Sequence, residues 1–222
     1  MQHKVILLGD STCAHKPEES RPETGWGEKF GKYLRESWVI DNRAITGLST
    51  KDCISLGVFD HALEDAIEGD LAFIQFGHND SKQDEARHTS PWTSYLLNLV
   101  YMAERLKEKG VRPIFLTSIA RRFFVDGVVR DTHGEYPSAM KAAAHQTGCS
   151  VLDITLPTML SLQAMGENES RKLFMNFDAG EYPNFPEGKE DNTHLRPEGA
   201  EWIARIIYGE ICTLTDKPEA VL

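Results

Sequence analysis

The chain's 222 residues suit one α/β domain with a sizeable buried core, and 41% hydrophobic and 26% charged residues are ordinary for a soluble globular protein. Against 34 acidic residues stand 24 basic ones; the formal net charge of −10 argues against nucleic acid as the main partner and requires any polyanionic substrate to meet a local basic patch. No stretch is long and apolar enough to span a membrane, no secretory signal pattern opens the chain, and Cys13, Cys53, Cys149 and Cys212 form no CxxC pair, so a cytoplasmic protein with free thiols is expected.

Taken in chain order, strands are expected at Lys4–Leu8, Trp38–Asp41, Leu71–Phe76, Pro113–Leu116 and Val151–Asp153. Helical patterns lie between them at Gly27–Glu36, Cys53–Glu68, Thr93–Lys109 and Pro137–Thr147. A shorter one follows at Thr155–Met165, and a final amphipathic helix is expected at Pro197–Leu214, with proline in its first turn. Alternating strand and helix favours a mostly parallel sheet covered on both faces. The segment Gly166–Thr193, rich in Gly, Pro, Asn and acidic residues, reads as a long functional loop.

The first strand runs straight into Gly9-Asp10-Ser11-Thr12. Gly9 ends it as a residue tolerant of sharp turns, and Asp10 and Ser11 then sit at the carboxyl edge, where open α/β sheets place their chemistry. A turn with a helix N-cap accounts for the same residues equally well. A serine hydroxyl attacks an acyl carbon well only when a base takes its proton and donors hold the oxyanion. Ser11 is the candidate nucleophile. His194 is the best base, because the spacing in Asp191-Asn192-Thr193-His194 lets one turn carry both side chains on one side. Asp191 would accept the Nδ1 proton and leave Nε2 free for Ser11. An exposed Asp and His before a helix would look the same. Oxyanion donors are expected from the backbone of Ser11 and Gly47 and from the side-chain amide of Asn79. Singly, Gly47 suits a turn and Asn79 a cap; their placement after successive strands is what points to a site. Cys13 is a rival nucleophile with no base paired to it, and His78 suits a wall of the substrate site, or a hydrogen-bonded loop residue, better than a metal ligand.

The blocks Gly9-Asp10-Ser11-Thr12, Gly47, Gly77-His78-Asn79-Asp80 and Asp191-Asn192-Thr193-His194 resemble, in order, the four signature blocks of the SGNH (GDSL-type) serine hydrolases. The resemblance implies a flavodoxin-like three-layer α/β/α sandwich on the five-stranded parallel sheet, one domain over residues 1–222. It implies Ser11 as nucleophile, His194 and Asp191 completing a triad, Ser11, Gly47 and Asn79 around the oxyanion, and no metal or organic cofactor. Thr12 stands where the eponymous motif has leucine, as in the rhamnogalacturonan acetylesterase subgroup. "NRAITGLSTKD", "IQFGHNDSKQD", "LTSIARRFF", "THGEYPSAM" and "DNTHLRPEGA" are similar to that subgroup. The implied reaction is hydrolysis of O-acetyl groups on a pectic sugar or oligosaccharide. Arg121 and Arg122, after the fourth strand, would pair with galacturonate carboxylates, or be solvated surface residues. Trp92, Phe123, Phe124 and Tyr182 are candidates for a sugar platform, with core packing the default. The alternatives are another SGNH esterase (xylan or oligosaccharide acetylesterase, lipase, thioesterase) and a catalytically silent carbohydrate-binding protein. The sequence assigns no oligomeric state.

Overall fold

A computed structural model describes residues 2–221; Met1 and Leu222, the ends of the span expected to form one domain, lie outside the described residues. The chain runs β1 (His3–Gly9), α1 (Gly27–Phe30), β2 (Trp38–Asn42), α2 (Thr50–Ser55), α3 (Val58–Asp65), β3 (Leu71–Gln75), α4 (Leu96–Glu108), β4 (Arg112–Leu116), β5 (Phe124–Val125), β6 (Val128–Val129), α5 (Tyr136–Thr147), β7 (Ser150–Leu152), α6 (Thr155–Ser170), β8 (Phe174–Phe177), β9 (Lys189–Leu195) and α7 (Pro197–Thr213).

Side chains alternate across a strand, so a strand covered on both faces is apolar throughout. In β1, Val5 and Leu7 join Phe73, Ile114, Phe30 and Ile203 in one core, while Ile6 and Leu8 join Ile74, Phe115, Phe59 and Leu99 in the other. The first core lies under α1, α6 and α7, the second under α2 to α5. The result is the expected three-layer α/β/α sandwich. Its parallel sheet has the order β2-β1-β3-β4-β7. The chain leaves β1 for β2 on one side and returns to β3 on the other, which opens a crevice at the carboxyl ends of β1 and β3. No described helix is long and apolar enough to cross a membrane.

Several elements differ from the sequence reading. The helix expected over Cys53–Glu68 is two helices, broken at Gly57. The one expected over Thr93–Lys109 begins as a wide turn through Pro91–Tyr95 before α4. That expected over Gly27–Glu36 is the short α1 followed by a 3₁₀ turn, Gly31–Tyr33. The largest correction concerns Gly166–Thr193, which is not a long loop. α6 continues past a break at Gly166 to Ser170, and β8 and β9 then form an antiparallel ribbon. The hairpin β5–β6 was also not expected, although Asp126-Gly127 between apolar residues, both at positive φ, is a strong turn signal.

Gly9 is glycine for a different reason than turn flexibility. Its φ is not positive; a methyl group there would lie 2.6 Å from Cys13 Sγ and 2.7 Å from the Gln75 carbonyl oxygen. Space, not torsion, selects glycine immediately before Asp10 and Ser11. Gly9→Ala is therefore expected to destabilise the protein by about 1–3 kcal/mol through overpacking. Urea denaturation checks this; an unchanged midpoint would show that the strand end accommodates a methyl group.

Candidate active site

Ser11 sits in a tight turn just beyond β1. The Asp10 carbonyl accepts the N–H groups of Cys13 (3.2 Å) and Ala14 (3.1 Å), while Asp10 Oδ1 accepts the N–H (2.9 Å) and hydroxyl (2.8 Å) of Thr12. Asp10 is fully buried, and burial raises its pKa against the opposing pull of the Thr12 bonds. This buried carboxyl fixes the turn that presents the Ser11 hydroxyl. The thiol of Cys13, two residues on, is 1% exposed, its pKa is pushed well up by burial, and it donates to the Asp10 carbonyl at 3.4 Å rather than to His194 as its base.

Asp191 and His194 lie on β9, not on a helical turn. Residues three apart on a regular strand face opposite ways. Here the β8–β9 register jumps: Phe174 pairs with Leu195 and the next residue, Met175, with Asp191. The extra residues bulge out, and Asp191 Oδ1 folds back to accept the N–H groups of Thr193 (2.9 Å) and His194 (3.0 Å). Buried Asn176 supplies the missing strand contacts: its Oδ1 accepts from Asp191 N at 2.9 Å, and its Nδ2 donates to the Asp191 carbonyl (3.2 Å) and Asn192 Oδ1 (2.9 Å). The sequence reading missed Asn176 because its role depends on the bulge.

The bulge lets His194 Nδ1–H donate to Asp191 Oδ2 at 2.7 Å and sets Nε2 2.9 Å from Ser11 Oγ. With Nδ1 carrying the proton toward the carboxylate, Nε2 is the acceptor for the Ser11 hydroxyl. Burial works to raise the pKa of Asp191, but the hydrogen bonds from the His194 ring and the His194 and Thr193 N–H groups hold it well below the usual carboxylate range. A chain of alternating charges lies behind this pair. Lys189 Nζ is 3.6 Å from Asp191 Oδ2 and 3.8 Å from Glu23 Oε2; Glu23 Oε1 is 2.7 Å from Lys16 Nζ, which donates to Thr46 Oγ1 at 3.0 Å.

A cleft of about 220 Å³ opens in front of Ser11, with Gly47, His78, Asn79, Arg121 and His194 among its lining. Gly47 has φ +86°, a left-handed conformation that favours glycine, and a side chain there would meet nothing within 4 Å. Asn79 is 3% exposed and donates one amide hydrogen to the Leu48 carbonyl at 3.0 Å, tying the loops after β2 and β3 together; its other amide hydrogen has no acceptor among the described residues. His78 Nδ1 lies 3.1 Å from His133 Nε2, both rings are buried, and His78 Nε2 has no partner among the described residues.

Arg121 reaches the cleft, but its guanidinium is engaged by the Thr132 carbonyl and hydroxyl (3.1 Å each) and the His78 carbonyl (3.2 Å). Arg122 is not in the cleft lining. Its side chain bonds the Glu167 carbonyl in α6 (2.6 and 3.2 Å) and Asn192 Oδ1 (2.9 Å), and its N–H bonds the Asn192 carbonyl (2.9 Å), which the bulge leaves without a strand partner. Nor do Trp92, Phe123, Phe124 or Tyr182 line it. Lys82, Arg87 and Thr46 do, and the sequence reading missed them. Lys82 and Arg87 were legible only as charges on a loop.

Residues 7–202 match the GDSL-like Lipase/Acylhydrolase family. The chain is 39% identical over 205 residues to rhamnogalacturonan acetylesterase RhgT of Bacillus subtilis, covering 92% of this chain and 87% of that protein. It is 25% identical over 224 residues to a rhamnogalacturonan acetylesterase of Emericella nidulans, covering 90% of this chain and 81% of that one. In fold it resembles the crystal structure of Bacillus subtilis protein YXIM, with a TM-score of 0.79 at 20% identity. That likeness covers 95% of this chain but only 56% of the YXIM chain, little more than half its length.

The buried histidine pair makes a pH prediction. Burial, followed by nearby cationic groups, pushes His78 well below the ordinary imidazole value and His133 down to about 3. Both folded-state values lie below the free value of about 6.5, so this contribution to stability is whole above that pH and declines as pH falls below it, by up to about 1.4 kcal/mol per unit for each ring. Asp80, raised by burial to about 6, works in the opposite direction as pH falls through that value. Ring NMR therefore gives the direct check: the His78 and His133 signals should not titrate between pH 8 and about pH 5.

Proposed function

The chain belongs to the GDSL-like lipase/acylhydrolase family and is a carboxylic ester hydrolase; on that premise, we propose that it removes O-acetyl groups from pectic carbohydrate through an acyl-enzyme on Ser11. The observation that carries this reading is the 2.9 Å approach of His194 Nε2 to Ser11 Oγ, with Asp191 2.7 Å behind the ring. In the proposed reaction Ser11 Oγ attacks the acetyl carbon as its proton passes to His194 Nε2. The developing oxyanion accepts hydrogen bonds from the N–H groups of Ser11 and Gly47 and from Asn79 Nδ2. Collapse of the tetrahedral intermediate breaks the ester C–O bond, and the proton on His194 goes to the departing sugar oxygen. Water then attacks the acetyl-Ser11 carbonyl, giving its proton to His194, and acetate leaves as Ser11 recovers its hydrogen.

Asp191, kept ionised by its hydrogen bonds, orients the ring and stabilises the imidazolium that forms in each half-reaction. The modest cleft in front of Ser11 suits a two-carbon acyl group. The names of the two acetylesterase relatives support a rhamnogalacturonan-type substrate.

Acetate release from acetylated rhamnogalacturonan fragments tests the substrate; rapid cleavage of octanoyl esters with no acetate released from the fragments would overturn it. Ser11→Ala should lower kcat by several orders of magnitude while the fold persists, since the change is small. Full turnover by a folded Ser11→Ala protein would remove Ser11 from the reaction. Asn79→Ala should reduce kcat by about 100- to 1,000-fold with a smaller change in KM, the pattern of a donor used mainly in the transition state. A change in KM alone would make Asn79 a ground-state contact.

A further inference from the structure

The candidate cleft departs from the charge of the rest of the molecule. The chain has ten more acidic than basic residues, yet among the described residues the cleft lining contains Lys82, Arg87 and Arg121 and no carboxylate. These cations differ in what they have left to offer. The Arg121 guanidinium is engaged by Thr132 and the His78 carbonyl. Arg87 grips Asp84 through Nε (3.0 and 3.1 Å) and Nη2 (2.7 Å), which leaves Nη1 without a partner among the described residues. Lys82 Nζ makes no hydrogen bond or ion pair among the described residues, and the side chain is exposed.

Both free donors stand on one closed loop. Asp80 Oδ1 accepts the hydroxyls of Thr50 (2.6 Å) and Thr89 (2.7 Å), and the Asp80 carbonyl accepts the Thr89 N–H (3.2 Å) and the Tyr136 hydroxyl (2.8 Å). The Tyr136 hydroxyl also reaches the Thr89 carbonyl. Within the loop, His88 Nδ1 lies 2.9 Å from the Lys82 carbonyl. The loop is thus pinned where it leaves the site at Asp80 and where it returns at Thr89, with Lys82 and Arg87 between. The loop backbone and the Arg87 guanidinium, fixed on Asp84, therefore lose less freedom when a ligand arrives, while Lys82 supplies a mobile charge.

We propose that Lys82 Nζ and Arg87 Nη1 form a subsite for the carboxylate of a uronic acid residue in the carbohydrate whose acetyl group faces Ser11. This rests on the carbohydrate acetylesterase reading above and replaces Arg121 and Arg122 as the groups that meet the anion. Asp84 cancels much of the Arg87 charge, so the free donors amount to little more than one positive charge, which suits a single carboxylate. The subsite begins three residues beyond Asn79, so one loop carries both a candidate oxyanion donor and the anion contact. It also supplies the local basic patch that a polyanion needs against a net charge of −10.

The test uses digalacturonate, free or methyl-esterified, as an inhibitor of 4-nitrophenyl acetate hydrolysis at low salt. The free acid should inhibit with a Ki roughly five- to tenfold below that of the ester, the size expected for two partly exposed charge contacts. Lys82→Gln should remove most of that difference and Lys82→Arg should keep it. Combining Lys82→Gln with Arg87→Gln and Asp84→Asn, so that no bare carboxylate is left, should bring the ratio to about one. Added salt should weaken the preference in the unaltered protein. Equal Ki values for acid and ester, or a preference that survives the triple variant, would overturn the subsite. Acetate release from the acetylated fragments is a separate readout; its absence would overturn the substrate reading while the inhibition ratios still decide the subsite.

Discussion

A regular strand cannot turn residues three apart toward one partner, and the Asp191–His194 pair exists only because β9 breaks that rule. The break is local and well supported. Asn176 takes over the contacts that the missing rung of the ladder would have made, and Asp191 Oδ1 holds the two N–H groups that the bulge releases. The placement of the His194 ring follows from this one irregularity. It brings a ring from near the end of the chain to 2.9 Å from a hydroxyl near its start. It also creates the acceptors on Asn192 that draw Arg122 away from the cleft.

A charge network backs the same pair. Lys16 is 2% exposed and lies between Glu23 and Thr46, while Lys189 lies between Glu23 and Asp191. Buried or half-buried charges are tolerable only when paired, and here each has a partner of opposite sign. The chain Lys16–Glu23–Lys189–Asp191 links the loop that carries Gly47 to the carboxylate behind His194. The two sides of the cleft are therefore held in one charge network as well as on one sheet.

What could be read from the sequence was whatever depends on local pattern. β1 and β3 announced themselves as apolar runs, Gly9 to Thr12 as the break after a strand, and Asp191 to His194 as a spaced pair. Two misses were local signals passed over: Gly57, left-handed at φ +73°, cuts a helical pattern in two, and Asp126-Gly127 turns the β5–β6 hairpin. The other errors arise where long-range packing decides. The Gly, Pro and acidic residues between Gly166 and Thr193 hid the short apolar β8, which becomes a strand only because β9 lies against it. Arg121 and Arg122 illustrate the limit best: both follow the right strand, yet which acceptors surround a guanidinium is a property of the assembled fold. Lys82 gave no pattern at all, since a lone lysine on a loop means something only once the cleft beside it is known.

Arg122 is also a brace. Its N–H and its guanidinium hold Asn192, in the middle of the bulge, while the same side chain bonds the Glu167 carbonyl just past the break in α6. The segment carrying the ring of His194 is thus tied through Arg122 to α6 and the loop after β4, and through Asn176 to β8. Its disorder is removed when the protein folds, before any ester arrives. In the proposed reaction the Ser11 hydroxyl and the His194 ring nitrogen would then meet at an effective concentration set by the architecture, with little translational or rotational entropy left to lose on the way to the transition state.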